Sequence, residues 1–230
     1  MKLDIQPTGA PHDLLASDAK QPENRILEHP IWAAALTGDL PKARLKALLL
    51  AIYPAVAGPG RYAFAAKVSQ IDAQDGKTLF LALYDALKKP EADADAGWRR
   101  VLLALGATAK EVDAALAAPS AEAEDFVEVI KMHGLRSGAV EAACISHSLE
   151  QHFPVLWGRL ADALSRRYGV PAAALGYLRY EASRAAAVTK WTKHLVDRYV
   201  GTADPYEIFE GRRAAREAVW AWTVLTESAP

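Results

Sequence analysis

Apolar residues recur at helical spacing along almost the whole chain, and this pattern restricts the possible folds more than any other feature of the sequence. Repeats of three and four residues place side chains on one face of a helix, whereas a half-buried strand alternates at every second residue. No segment shows the strand pattern, so we expect an all-α fold of about eight to ten helices. The expected helices are Glu23–Leu36, Pro41–Val56, Arg61–Ile71, Lys77–Pro90, Trp98–Leu105, Thr108–Ala117, Ser120–His133, Gly138–Tyr168, Pro171–Val200 and Pro205–Glu227.

Glycine, proline and capping residues mark where these helices begin, bend and end. Gly38 follows the first apolar pattern, and glycine at such a position favours the left-handed conformation that ends a helix. Thr108 and Ser120 precede two further patterns, and their hydroxyl groups are suited to cap free N–H groups. Pro54 and Pro154 lie inside apolar patterns, where the missing N–H predicts a kink.

The composition of the chain indicates one helical domain preceded by an arm. Residues 1–20 are rich in proline, glycine and aspartate, which predicts a flexible N-terminal arm. No shift in composition divides residues 21–230, so we expect these to form a single domain. A hydrophobic fraction of 51% supplies a sizeable core, and the abundance of Ala and Leu favours helix over sheet.

The charge balance excludes partners that are recognised through a strongly basic surface. The chain has 27 Lys and Arg against 28 Asp and Glu, a formal net charge of −1. Binding to nucleic acid or to an anionic membrane usually needs an excess of positive charge. We therefore expect a small molecule or another protein as the partner, with no nucleic acid and no membrane.

Cysteine use and the N-terminal segment indicate a cytoplasmic protein. Cys144 is the single cysteine, which excludes an intramolecular disulfide and is typical of a reducing compartment. The first twenty residues contain charges and prolines where a signal peptide needs an apolar run. No stretch reaches the roughly 18 apolar residues that a membrane span requires.

Three groups of residues resemble the haem-oxygenase-like superfamily, which includes the TenA, PqqC and di-iron oxygenase families. The first is Glu28–Trp32 followed by Leu36–Leu40, a His-Pro helix and a Gly-x-Leu turn. The second is Leu102–Gly106, and the third combines Leu149–Pro154 with Arg167–Gly169. Their order along the chain is that of the superfamily. The resemblance implies a haem-oxygenase-like (TenA/PqqC-like) helical bundle over most of the chain.

The resemblance to the di-iron branch implies metal ligands that this sequence mostly lacks. Glu150 matches the middle Glu of that branch. The positions of its His-x3-Asp-x2-His run are occupied by Tyr180, Arg184 and Ala187. Imidazole and carboxylate groups suit iron, and too few of them remain. We expect no metal and no cofactor.

The resemblance to TenA-type thiamin-salvage hydrolases rests on the helix that carries Cys144 and on Glu217 with Trp220. It implies a Cys nucleophile at Cys144 and a functional Glu at Glu217. The second helix reads Leu50-Ala51-Ile52-Tyr53-Pro54-Ala55 and lacks the Asp that this family uses for pyrimidine recognition. A thiaminase-like hydrolase that uses Cys144 is therefore one alternative function.

The resemblance to PqqC-type enzymes implies metal-free oxygen chemistry on an aromatic molecule. Glu150 and Tyr177 match two of the positions that line the cavity in that family. Trp157 stands where a catalytic His is expected, and Glu181 stands where an Arg is expected. If the protein is an enzyme, this resemblance implies a cofactor-free oxidoreductase of PqqC-like type.

These patterns together define a candidate site. We predict acid–base roles for Glu150, His147 and Tyr177, since Glu150 and His147 lie three residues apart on one helix face. The predicted ligand-binding residues are His29, Tyr53, Cys144, Tyr180, Glu181, Arg184 and Glu217. Some of these residues also have a purely structural interpretation: His29 as a helix cap, Cys144 as a small packing residue, and Glu181 with Arg184 as an ion pair within one helix.

The main hypothesis is a metal-independent TenA/PqqC-like protein that binds a small, partly aromatic organic molecule in a central helical cavity. Its reaction, if any, would be an oxidation or a ring modification, with Glu150 as the central polar group. The alternative from another class is a non-catalytic binding or scaffold protein on a degenerate haem-oxygenase-like fold. The apolar and aromatic content of the last helix further predicts a homodimer.

Overall fold

The computed structural model describes residues 13, 15, 18, 26–57, 71, 72, 74, 75, 77, 88–135 and 138–229. Within these residues all regular structure is helical, as the sequence predicts. Short 3₁₀ helices form at Pro90–Ala92 and Ala172–Leu175, and a π-helical turn forms at Val196–Val200. The longer helices are α1 (Pro30–Thr37), α2 (Lys42–Val56), α3 (Ala94–Ala104), α4 (Ala109–Ala117), α5 (Ala121–Leu135), α6 (Ala139–Glu150), α7 (Phe153–Arg167), α8 (Gly176–Ser183), α9 (Ala185–Leu195) and α10 (Pro205–Ser228). Of the helices predicted at Arg61–Ile71 and Lys77–Pro90, the structure describes only residues 71, 77 and 88–90, and the rest lie outside the described residues.

Capping groups begin and end several helices as expected. Thr108 and Glu111 form a reciprocal capping box at the start of α4, and the Ser120 hydroxyl accepts a hydrogen bond from the Ala123 N–H at the start of α5. Gly38 ends α1 with a φ of 89°, which a residue with a Cβ adopts only with strain. These local groups satisfy backbone N–H and C=O groups that have no partner within the helix.

Two predicted helices are each divided in the structure. The pattern from Gly138 to Tyr168 forms α6 and α7, which are separated by Gln151 and His152, because Pro154 starts the first turn of α7 instead of kinking one long helix. The pattern from Pro171 to Val200 forms the second 3₁₀ helix, α8, α9 and the π-helical turn. Arg184 is the residue that separates α8 from α9.

The last helix, α10, organises the bundle. It packs most extensively against α6 and α5, while α9 packs against α6. On the other side of the bundle, α7 packs against α8 and α1. The Tyr168 hydroxyl donates a hydrogen bond to the Leu40 carbonyl at 3.0 Å, which fixes the end of α7 to the turn between α1 and α2.

Tryptophan and phenylalanine rings fill the middle of the bundle. Trp157 lies edge-on to Trp32, Trp98 and Trp222, with ring centres 6.2, 5.0 and 6.1 Å apart. Phe153 lies 4.8 Å from the Trp222 ring. Edge-to-face contacts of this kind contribute about 0.5–1.5 kcal/mol beyond the burial of area. We call these residues, with Phe126, the aromatic cluster.

A second apolar cluster connects the start of the chain to α6 and α10. Leu15 is buried against Cys144, Ala215 and Val196. Nearby, Nε and Nη2 of Arg212 donate hydrogen bonds to the Asp18 carboxylate at 2.6 and 2.8 Å. Most of residues 1–20 lie outside the described residues, so the flexible arm stays a prediction.

Within the part of the chain that the structure describes, no helix is both long enough and apolar enough to cross a membrane. The longest helix, α10, carries charged residues in every turn of its first half.

Candidate functional site

Four of the predicted site residues form a polar cluster around Arg184. One guanidinium nitrogen, Nη1, donates a hydrogen bond to Oε1 of Glu181 at 3.1 Å. The guanidinium carbon lies 5.5 Å from the centre of the Tyr180 ring. Glu150, the last residue of α6, is close enough for its charge to act on Arg184. We call Glu150, Tyr180, Glu181 and Arg184 the Arg184 cluster.

Burial and charge act in opposite directions on Arg184. Loss of solvent lowers the pKa of its guanidinium, whereas Glu181, Tyr180 and Glu150 raise it, and the resulting pKa lies above the ordinary value. Arg184 therefore keeps its charge. The half-buried Glu150 carboxylate forms no hydrogen bond or ion pair with another described residue. Two carboxylates and one guanidinium give the cluster an excess of one negative charge.

His147 and Tyr177 lie in different surroundings. The His147 ring is buried, and its Nδ1 lies 3.2 Å from the Thr192 hydroxyl oxygen of α9. Tyr177 packs against Trp98, with ring centres 6.5 Å apart. A Cβ added at Gly97 would lie 2.2 Å from the Cβ of Tyr177, so α3 and α8 approach closely here. These contacts make Tyr177 part of the helix packing.

Burial suppresses the reactivity of the Cys144 thiol. Its side chain is fully buried between α6 and α10, and a Cβ on Gly211 would lie 2.8 Å from its sulfur. Burial raises the pKa of the thiol far above its usual range, and the nearby charges of Glu141 and Asp18 act in the same direction. The thiolate, which is the nucleophilic form, is therefore almost absent at neutral pH.

The remaining predicted residues are each engaged elsewhere. His29 caps α1, because its Nδ1 accepts a hydrogen bond from the Ile31 N–H, and its Nε2 lies 3.2 Å from Glu227. The Tyr53 hydroxyl donates to Asp95 at 3.0 Å, and burial together with this bond raises its pKa.

Glu217 bridges two basic groups. One carboxylate oxygen lies 2.9 Å from Nε2 of the buried His133, and the other accepts from Arg213 at 2.6 Å. Cys144 faces Gly211, which lies nearly two helical turns before Glu217 along α10. Cys144 and Glu217 thus occupy separate surroundings.

The donor groups of the described residues do not fit a metal centre. No three His, Cys, Asp or Glu side chains among them are grouped so as to hold an ion. Arg184 and Ala187 occupy two of the three positions matched to the di-iron run, and neither a guanidinium nor a methyl group coordinates iron.

Several buried polar groups of the described residues were not predicted from the sequence to have a role. The Nε2 atom of His152 is buried without a hydrogen-bond partner among the described residues, and burial lowers the pKa of this ring. The indole N–H groups of Trp32, Trp98 and Trp222 are also buried without a hydrogen-bond partner among the described residues. No local sequence signal marks such groups, because their surroundings come from helices that are distant in the chain.

The architecture is similar to that of two solved TenA homologues. One, from P. horikoshii OT3, has a TM-score of 0.70 and 16% identity, with 96% of this chain and 98% of that chain covered. The other, from Pseudomonas syringae pv. tomato str. DC3000, has a TM-score of 0.76 and 13% identity, with 99% and 95% covered. No protein-family model and no curated protein matches the sequence. Identities this low show the fold alone. The chain therefore has the all-α, haem-oxygenase-like fold of the TenA homologues, as the sequence predicts.

Proposed function

We propose that the protein binds a small, partly aromatic organic molecule at the Arg184 cluster, without a metal. The observation that carries this proposal is the Glu150 carboxylate. It is half-buried, lies close enough to the charged guanidinium of Arg184 for the two charges to interact, and has no hydrogen-bond partner among the described residues. A partly buried carboxylate is costly unless it accepts hydrogen bonds, and a bound molecule can supply the donors.

The charges of the cluster define the class of ligand. Arg184 is already held by Glu181, so Glu150 is the acceptor that remains for the ligand. One excess negative charge favours a molecule with donor groups or a positive charge over an anion. An amino-substituted aromatic heterocycle has this character, because its amino group and the adjacent ring nitrogen, once that nitrogen is protonated, can donate in parallel to one carboxylate.

Covalent catalysis by Cys144 is not part of the proposal. A hydrolase of thiaminase-like type would need the Cys144 thiolate, and burial raises the pKa of this thiol. An oxidation or ring modification would require a reacting group near the bound molecule. Of the predicted acid–base residues, Glu150 belongs to the cluster, while His147 contacts Thr192 and Tyr177 contacts Trp98. We therefore assign the acid–base role, if the ligand reacts, to Glu150.

A non-catalytic scaffold is the second candidate function. The aromatic cluster supports it, because Trp32, Trp98, Trp157 and Trp222 occupy the middle of the bundle. Large buried side chains reduce the space that a central ligand needs. In this case the polar groups around Arg184 would stabilise the junction between α8 and α9 and bind nothing.

Calorimetric titration distinguishes the two functions. We expect 4-amino-2-methylpyrimidine to bind the wild-type protein and the dianion quinoline-2,4-dicarboxylate not to bind. Glu150→Gln keeps the size of the side chain and removes its charge, so it should weaken binding of the pyrimidine by at least about tenfold. The matched control is Glu141→Gln at the other end of the same helix, which should bind like the wild type.

Circular dichroism melting would show that both variants are folded. Two results would support the scaffold and reject the small-molecule function: no heat of binding from either probe, or equal affinity of the wild type and Glu150→Gln.

A further inference from the structure

A surface groove with a volume of about 540 Å³ runs between α5 and α10. Its floor is apolar and is formed by Val129 and Met132 from α5 and by Trp220 and Val224 from α10. Met132 is 40% exposed and Trp220 is 58% exposed. Large apolar side chains that remain exposed side by side mark surfaces that bind partners. None of these residues belongs to the Arg184 cluster.

Carboxylates surround this floor. Glu122, Asp125 and Glu128 lie along the α5 side, and Glu217 lies on the α10 side. Lys131 is the one basic residue among the lining residues, and it pairs with Glu128 at 2.7 Å. Glu122 and Asp125 form no ion pair with another described residue. The rim formed by these carboxylates therefore has negative charge, at Glu122 and Asp125, that no side chain among the described residues neutralises.

The spacing of the lining residues fits a helix as the occupant. On α5 the lining residues extend from Glu122 to Met132, a distance of about 15 Å at 1.5 Å per residue. On α10 they recur from Glu217 to Val224 at intervals of three and four. Two neighbouring helices with such stripes form a trough into which a third helix packs its own apolar face.

We infer that this groove is a docking site for a basic amphipathic helix of a partner protein. The apolar face of such a helix would cover Met132 and Trp220, and its Lys or Arg side chains would lie over Glu122 and Asp125. Charge complementarity of this kind selects the partner and speeds association.

The same charges disfavour a second copy of this chain as the occupant. A two-fold interface brings identical surfaces together, so the acidic rim of one copy would face the acidic rim of the other. Repulsion between like charges at a desolvated interface opposes that arrangement.

Fluorescence anisotropy with defined peptides tests the proposal. The probe is a labelled amphipathic helix of about fifteen residues, with Leu on one face and Lys on the other. The matched peptide has Glu in place of every Lys. We expect the Lys peptide to bind, with an affinity that decreases as NaCl is raised, and the Glu peptide not to bind.

Variants on the surface locate the site. Asp125→Lys and Trp220→Ala should each weaken binding of the Lys peptide by about tenfold or more. The controls are Glu124→Lys, on the neighbouring position of α5 outside the groove, and Tyr206→Ala, 68% exposed on the same helix as Trp220. Both controls should bind like the wild type. All four side chains are exposed, so we expect the variants to fold.

Three results would overturn the inference. The first is that the Lys and Glu peptides bind equally well, or that neither peptide binds. The second is the same loss of affinity in Glu124→Lys as in Asp125→Lys. The third is a wild-type dimer in light scattering that Trp220→Ala converts to a monomer, because the groove would then bind a second copy.

Discussion

Burial determines the chemistry of Cys144 at the scale of a single residue. Because the thiol is fully buried and its pKa is raised, we expect iodoacetamide to label the native protein very slowly at neutral pH. The same protein unfolded in urea should be labelled rapidly. Cys144 is the single cysteine, so mass spectrometry reads this site directly. Fast labelling of the native protein would contradict the burial and restore the thiolate mechanism.

Gly97 is a residue whose missing side chain matters. A Cβ at this position would lie 2.2 Å from the Cβ of Tyr177, so Gly97→Ala must push α3 and α8 apart. We expect the free energy of unfolding to fall by on the order of 1–3 kcal/mol, measured by urea denaturation. Gly176→Ala is the control, because its new Cβ would meet no atom within 4 Å from the described residues outside its own helical turn, and alanine favours a helix. Equal stability of the two variants would show that the helices are not in close contact.

Some residue roles could be predicted from sequence because they are local. The His-Pro step suggested a capping role for His29, and His29 does cap the next helix. Its second partner, Glu227, could not be predicted, since 198 positions separate the two residues. The proximity of Glu150 and Arg184 could not be predicted either, because it depends on how α6 packs against α9, which begins directly after Arg184.

The capping box of α4 links one helix end to pH. The Glu111 carboxylate accepts from the Thr108 backbone and from Lys46, and these bonds lower its pKa to about 2 from 4.5. The lowered pKa means that ionised Glu111 stabilises the fold above the unfolded pKa, and that this contribution is lost as the pH falls toward 2.

We therefore expect Glu111→Gln to be less stable than the wild type at neutral pH, with a difference in unfolding free energy that narrows as the pH falls from about 5 toward 2. Chemical denaturation at several pH values measures this difference in unfolding free energy. Glu124→Gln is the control, since Glu124 is exposed in the first turn of α5 and forms no side-chain bond with another described residue. A difference that does not change with pH would contradict the role of charge at the cap.

Helix boundaries were predictable where one residue determines them. The hydroxyl groups of Thr108 and Ser120 and the left-handed Gly38 act within one turn, so composition and spacing suffice. The break between α6 and α7 was missed because the apolar pattern continues through it on both sides of Gln151. Eight consecutive residues of α6, from Ala142 to Leu149, are buried, so periodicity alone does not show where the helical hydrogen bonding stops.

For the whole molecule, the fold was more predictable than the site. The order of helices and short motifs gave the haem-oxygenase-like fold, because topology follows from which segments are amphipathic. The aromatic cluster was not foreseen, since tryptophans from α1, α3, α7 and α10 meet only in the folded protein.

The homodimer stays a prediction. Of the last helix's tryptophans, Trp222 is buried in the core and Trp220 lines the acidic groove, so we expect a dimer to use another face.

The two contacts between the start of the chain and α10 affect the order in which the protein can fold during synthesis. Asp18 pairs with Arg212, and His29 with Glu227, over separations of 194 and 198 residues. Arg212 and Glu227 do not exist until the ribosome has made α10, long after Asp18 and His29. Leu15, Asp18 and His29 therefore reach their final positions only after the much later residues of α10 have been made, and Leu15 stays outside its apolar cluster with Cys144 and Ala215 until then.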